Sequence, residues 1–164
     1  MSRHIDKLRV PVRLARFGAP PQSGCISLSP FAELHEGPET LLERLNTPTQ
    51  VVPFQAEGSD DVLLIMRRQI EWVEAETRTD PRLVRAATYR ATREENVSVR
   101  TVAGEIFEGV LAIEMPDAFN RASDFLNGDD LFFALQMPDG TRLFNKRRIT
   151  DVLVHGAASA RRAA

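Results

Sequence analysis

A single cysteine, Cys25, is all the chain carries, so no internal disulfide can staple its fold. Its setting in Cys-Ile-Ser-Leu28 assigns it to the core as a small apolar residue. Histidine is scarce too: His4, His35 and His155 lie far apart, without His-x-x-x-His spacing or a cysteine partner, and predict no metal site. No apolar run approaches the ~20 residues that cross a bilayer. The opening Met-Ser-Arg-His-Ile-Asp6 lacks an apolar signal core, so the expectation is a cytoplasmic protein with no membrane insertion. An excess of one charge is also missing, since 21 Lys+Arg against 23 Asp+Glu leave −2, too little for a long-range field toward nucleic acid. Neither a Walker loop nor a Gly-x-Ser-x-Gly elbow occurs. The acidic pairs Asp60-Asp61 and Asp129-Asp130 read as solvated loop residues. On these grounds no catalytic residue, metal or cofactor is assigned.

What the chain does have is one pattern of residues twice. The first run reads Val10-Pro-Val-Arg13, Gly24-Cys-Ile-Ser-Leu28, Leu45-Asn46, Val51-Val-Pro-Phe54 and Arg67-Arg-Gln-Ile70. The second reads Val97-Ser-Val-Arg100, Gly109-Val-Leu-Ala-Ile113, Leu126-Asn127, Phe132-Phe-Ala-Leu135 and Lys146-Arg-Arg-Ile149. Ordered agreement of this kind predicts a tandem duplication. Aligned on the arginines, the first copy is longer by two before its glycine (Arg13 to Gly24, 11 steps; Arg100 to Gly109, 9), which predicts an insertion around Ala19-Pro-Pro-Gln22.

Local signals then predict the elements. Val97, Val99 and Thr101 alternate with polar neighbours, as in a half-buried strand, and Ile106 to Met115 is rich in strand formers, with Gly109 where a backbone approaches closely. Asn120 and Pro38 each mark a helix start, and Asn46 and Asn127 read as left-handed helix caps. Asp139-Gly140 predicts a hairpin, whereas Pro53 places its strand at an edge or a bulge. Between the copies, the charged stretch from Glu74 to Glu95 holds one more regular segment near Leu83 to Tyr89. The expected fold is mainly β with short helices: two tandem five-stranded SH3-like or Sm-like small barrels packed as a pseudo-dimer. Residues 1–80 form the first repeat and 81–156 the second, with the boundary near Pro81 and a fraying tail over 157–164.

The stretch Val99-Arg-Thr-Val-Ala-Gly104-Glu-Ile-Phe-Glu-Gly109-Val-Leu111 resembles the first motif of Sm-like proteins. The wider pattern from Val97 to Val152, with Arg121-Ala-Ser-Asp-Phe-Leu-Asn127 and Phe144-Asn-Lys-Arg-Arg-Ile149, is similar to an uncharacterised bacterial small β-barrel domain. The first copy departs from it, with Leu42-Glu43 where the second has Ser123-Asp124. The resemblance implies an SH3-like or Sm-like barrel and no particular chemistry.

Candidate contact residues are the basic clusters at matching places in the two copies, Arg67 and Arg68 in one and Lys146, Arg147 and Arg148 in the other, together with Trp72. Arginine-rich turns suit an anionic partner surface, and the lone tryptophan suits either the core or, as the one candidate aromatic of the first copy, an interface. Phe107, Phe125, Phe132, Phe133 and Phe144 of the second copy fall at positions expected to be buried, which argues against a base-stacking platform. The functional expectation is a non-catalytic interaction or scaffold protein that binds a protein partner or self-associates through barrel edges and basic turns. The alternative is an Sm-like nucleic-acid-binding module.

Overall fold

Side chains alternate inward and outward along β1 (Leu8–Arg16), with Val10, Val12 and Leu14 buried and Arg9, Pro11 and Arg13 exposed. In the computed structural model, which describes residues 7–86, 91, 93–113 and 121–156, this strand opens a mainly β fold. The first half continues with β2 (Gln22–Leu28), α1 (Leu41–Asn46), β3 (Val51–Ala56), β4 (Leu63–Met66) and β5 (Ile70–Ala75). A one-turn helix, α2 (Pro81–Val84), follows at the expected boundary. The second half repeats the order as β6 (Arg93–Thr101), β7 (Ile106–Ile113), α3 (Ala122–Leu126), β8 (Phe132–Met137), β9 (Gly140–Asn145) and β10 (Ile149–Val154).

All strand pairs are antiparallel, and the ten strands form one sheet in the order β10-β6-β7-β8-β9-β5-β1-β2-β3-β4. Its two halves therefore read alike, fifth strand, first, second, third, fourth. The sheet does not close into a barrel, and β10 and β4 are its two ends. This corrects the expectation of two separately closed barrels: β5 pairs with β9 and carries the ladder from one half into the other. The two edges that meet are non-equivalent, so the halves join head to tail and not about a two-fold axis.

The register corrects the alignment of the first strands. Val12 lies opposite Gly24 and Val97 opposite Gly109, so the two hairpins match in length and the expected insertion at Ala19 to Gln22 vanishes. Arg13 therefore occupies the place of Ser98, not of Arg100. Both halves also carry a bulge at the same point, with Glu71 skipped between Ile70 and Trp72, and Thr150 skipped between Ile149 and Asp151.

Gly24 and Gly109 are required by close approach. A side chain at either would collide with a carbonyl oxygen of the third strand in its half, Gln55 or Gln136. The third strand consequently touches the second only briefly, at Gln55 and Ala56 in one half and at Gln136 in the other. Pro53 lies beyond that contact, which explains how β3 tolerates a residue without an N–H although β4, not β3, is the edge.

The helices are short and individually capped. Thr40 and Glu43 form a reciprocal capping box at 3.2 Å, so α1 starts after Thr40 and not at Pro38. His35 reinforces it through a 2.5 Å contact from Nε2 to the Glu43 carboxylate. Its imidazole pKa is raised, first by the Glu36 carbonyl and then by Glu43. Asn120, the cap expected for α3, lies outside the described residues. The left-handed caps expected at Asn46 and Asn127 are not formed: among the described residues none other than glycine has positive φ, and Asn127 closes α3 in the right-handed region. Cys25 is half-buried, on the face of β2 opposite Ile26 and Leu28, and does not join the core.

Two hydrophobic clusters fill the halves, and each borrows from the other. The first gathers Val12, Leu14, Ile26, Leu45, Phe54 and Val73 with Phe132, Ala134 and Leu143 of the second half. The second gathers Val97, Val99, Leu111, Phe133 and Phe144 with Ala15 and Trp72 of the first. Val84 of α2 belongs to the first cluster, so the stretch at the boundary is packed against it.

Candidate interaction surface

The strand following each basic cluster needs a reversal after the fourth strand, and a 3-10 turn supplies it: Arg67–Gln69 before β5 and Lys146–Arg148 before β10. Arg67 turns inward, donating from Nε to Thr49 O at 2.8 Å and from Nη1 to Leu45 O at 3.0 Å, so it satisfies carbonyls at the end of α1. Lys146 does the corresponding work beyond α3, its Nζ donating to Gly128 O at 3.0 Å. Burial lowers the Lys146 pKa against the opposing pull of Asp130 and Asp129. Both residues are thereby committed within the chain.

Pairing of β5 with β9 brings the two turns side by side. Asn145, fully buried, donates from Nδ2 to Arg68 O at 3.0 Å and to Ile70 O at 2.9 Å, and its Oδ1 accepts the Arg147 N–H at 2.9 Å. Arg148 donates to Arg68 O at 3.2 Å and to the Gln69 side chain, with its guanidinium 4.8 Å from the Phe17 ring. Of the five cations in the two turns, Arg68 and Arg147, both exposed, leave their side-chain charges without a partner among the described residues. Below them Glu71 is buried at 5% exposure. Burial first and Glu105 second raise its carboxyl pKa, and Arg148 opposes them.

Trp72 is an interface residue, but the interface is internal. It is 2% exposed, lies opposite Phe144 in the β5–β9 ladder and meets Phe107 edge-on at 6.3 Å. The Arg142 guanidinium stacks 4.2 Å from its ring, and Arg142 in turn bonds Glu74 at 2.9 Å. Of the two readings of Trp72, the structure takes the core one and leaves the ring unavailable to a partner. Asn46 adds a clasp across the same junction, receiving the Phe132 N–H at 2.8 Å and donating to Phe132 O at 3.2 Å. Read from the sequence as a cap, it instead imitates a neighbouring strand.

Edges were expected to carry contacts, and the structure leaves two free sheet edges whose residues the sequence patterns did not single out. Val62, Leu63, Leu64 and Met66 at β4 and Leu153 and Val154 at β10 make up half of the exposed large hydrophobics among the described residues. Edge strands are ordinarily blunted by charge or proline, and β4 has neither. The uninterrupted Val-Leu-Leu-Ile-Met66 was the available signal, but an apolar run reads equally well as a central strand.

No family model matches the chain. No curated protein and no solved structure matches it either. Among the described residues no group of three or more His, Cys, Asp or Glu converges as a metal site would require. His35 is held by Glu43 and His155 by the Ser98 hydroxyl at 2.7 Å, while Asp60, Asp61, Asp129 and Asp130 stand exposed in loops. No described helix is long and apolar enough to cross a membrane.

Proposed function

We propose that the chain is a non-catalytic interaction or scaffold protein, built of two tandem SH3-like or Sm-like repeats that share one open sheet, that holds protein chains at the free edges of that sheet. One observation carries this reading: both end strands offer unpaired backbone groups together with exposed aliphatic side chains. Such an edge binds an extended segment through main-chain hydrogen bonds, with alternate side chains adding affinity. The basic turns contribute less, because three of their five cations are engaged internally. The test is capture by immobilised full-length chain from a lysate of the organism that makes it. Proteins retained by the wild type, free copies of the chain included, are expected to be lost from the Leu64→Arg/Leu153→Arg variant at unchanged far-UV circular dichroism. Equal retention by both proteins, or none by either, overturns the reading.

The second reading is the Sm-like nucleic-acid-binding module, favoured by the side-by-side placement of Arg68 and Arg147. Against it, Trp72, Phe132, Phe133 and Phe144 are buried and offer no stacking platform. Phosphate contacts by two arginines would give a shallow salt dependence in a mobility-shift titration, abolished by Arg68→Glu/Arg147→Glu. Absence of any salt-sensitive shift at micromolar protein removes this reading.

A further inference from the structure

We propose that the chain assembles head to tail with further copies of itself, β4 of one copy pairing with β10 of the next. The inference rests on the reading of the edges as binding surfaces and adds their occupant. The junction inside the chain is its template. There the fifth strand of one half meets the fourth strand of the other, with Trp72 opposite Phe144, Val73 opposite Leu143 and Glu74 opposite Arg142. The free ends of the sheet are the same two kinds of edge, β10 being the fifth strand of its half and β4 the fourth. Counted from Ile70 and Ile149, which follow the two 3-10 turns, Val152 stands in the place of Val73 and Leu64 in that of Leu143. Transposing the inner register sets Val152 opposite Leu64 and Leu153 opposite Leu63 of the next copy.

Two features of the outer edge match what the inner junction uses. A cleft of about 350 Å³ opens between α3 and β10, lined by Ala122, Leu126, Phe133, Ile149, Val152 and Val154 among others. Its counterpart between α1 and β5 is filled: Phe132, Ala134 and Leu143 pack there with Leu41, Leu45, Ile70 and Val73. The residues holding those three positions in the first half are Val51, Pro53 and Leu64, of which Pro53 and Leu64 are exposed. They are the side chains that a second copy would bring into the open cleft. The second match is Asn127, the counterpart of the clasp residue Asn46. It is exposed, and its side chain has no partner among the described residues. In the assembly it takes the backbone of Val51, whose carbonyl now receives the Thr49 hydroxyl at 3.2 Å.

The outer contact differs from the inner one in ways that set its strength. Where Ala15 and Trp72 pair inside, Arg100 and Asp151 form an exposed ion pair at 3.7 Å, and where Glu74 meets Arg142, Leu153 would meet Leu63. An aliphatic contact with a solvated ion pair beside it lacks the buried aromatic anchor, so association depends on concentration. Because the two faces are non-equivalent, repetition makes a ring if the rotation closes and a filament if it does not.

Light scattering on purified full-length protein across a concentration series tests the proposal. The wild type is expected to form species heavier than the 18.4 kDa chain. Leu64→Arg and Leu153→Arg, each blocking one edge at an exposed position, are expected to be monomeric alone and to form a complex of two chains, and no larger, when mixed. Arg100→Ala/Asp151→Trp, which copies the inner anchor onto the outer edge, should tighten association by about tenfold or more, as buried aromatic anchors do. A wild type that stays monomeric throughout, self-association of either single variant, or a mixture that remains monomeric overturns head-to-tail assembly. Edge-dependent capture of a different protein would in that case leave the broader interaction reading standing.

Discussion

Replacing Trp72 with alanine is expected to cost about 3–5 kcal/mol of stability, the range for deleting a large buried aromatic side chain. The side chain belongs to β5 yet fills the second cluster, so its removal opens a cavity between the halves and not within one. It also uncovers Arg142, which is 6% exposed and stacks at 4.2 Å on the indole and at 4.8 Å on Phe107. Glu74 at 2.9 Å would still neutralise the guanidinium, but its apolar cover would be gone. Against a typical domain stability of about 5–15 kcal/mol, such a loss leaves a marginal protein. Urea denaturation followed by far-UV circular dichroism measures it, with Trp72→Phe as the milder comparison. Trp72 is the only tryptophan, so in the wild type its fluorescence reports the junction directly. Because the clusters interlock, fluorescence and dichroism should trace one coincident transition. A loss below about 1 kcal/mol, or two separate transitions, would mean that the junction contributes little.

Gly109→Ala should be the other severe substitution, at or above the ~1–3 kcal/mol usual for overpacking. A methyl group there would meet the Gln136 carbonyl oxygen and lie 2.8 Å from Leu135 Cγ, and the backbone oxygen cannot rotate away. Strand β8 would have to retreat from β7 at Val110–Gln136, their one point of pairing, and would draw Phe133 and Leu135 out of the second cluster. Gly24→Ala should behave alike, since it faces the Gln55 carbonyl and the Phe54 ring. Gly156→Ala is the control: nothing lies within 4 Å of that position, and little change is expected. Thermal or urea midpoints decide the matter, and equal tolerance at positions 109 and 156 would show that the close approach is not required.

The fate of individual residues shows how far the sequence could be read. The alternation in β6, the Asp139-Gly140 hairpin and the close approach at Gly109 were legible, because each is a local pattern of two to ten residues. The slip of two residues at Arg13 came from matching identical letters, whereas the ladder matches the valines that face Gly24 and Gly109. Asn46 read as a cap because asparagine commonly caps helices. Its partner Phe132 lies 86 residues away, and no local pattern announces it. Arg67 and Lys146 looked like surface charge, and the carbonyls they satisfy are supplied by the chain's path around α1 and α3.

By itself, then, the sequence determined that the chain is mainly β, that short helices interrupt two similar runs of strands, and where glycine must stand. Only the tertiary structure decided which edges meet. Hydrophobic periodicity tells each strand which face to bury but not which strand to pair with, and the β5–β9 ladder joins residues about 70 positions apart. That one pairing hides Trp72, brings the basic turns together and leaves β4 and β10 as the two unpaired ends.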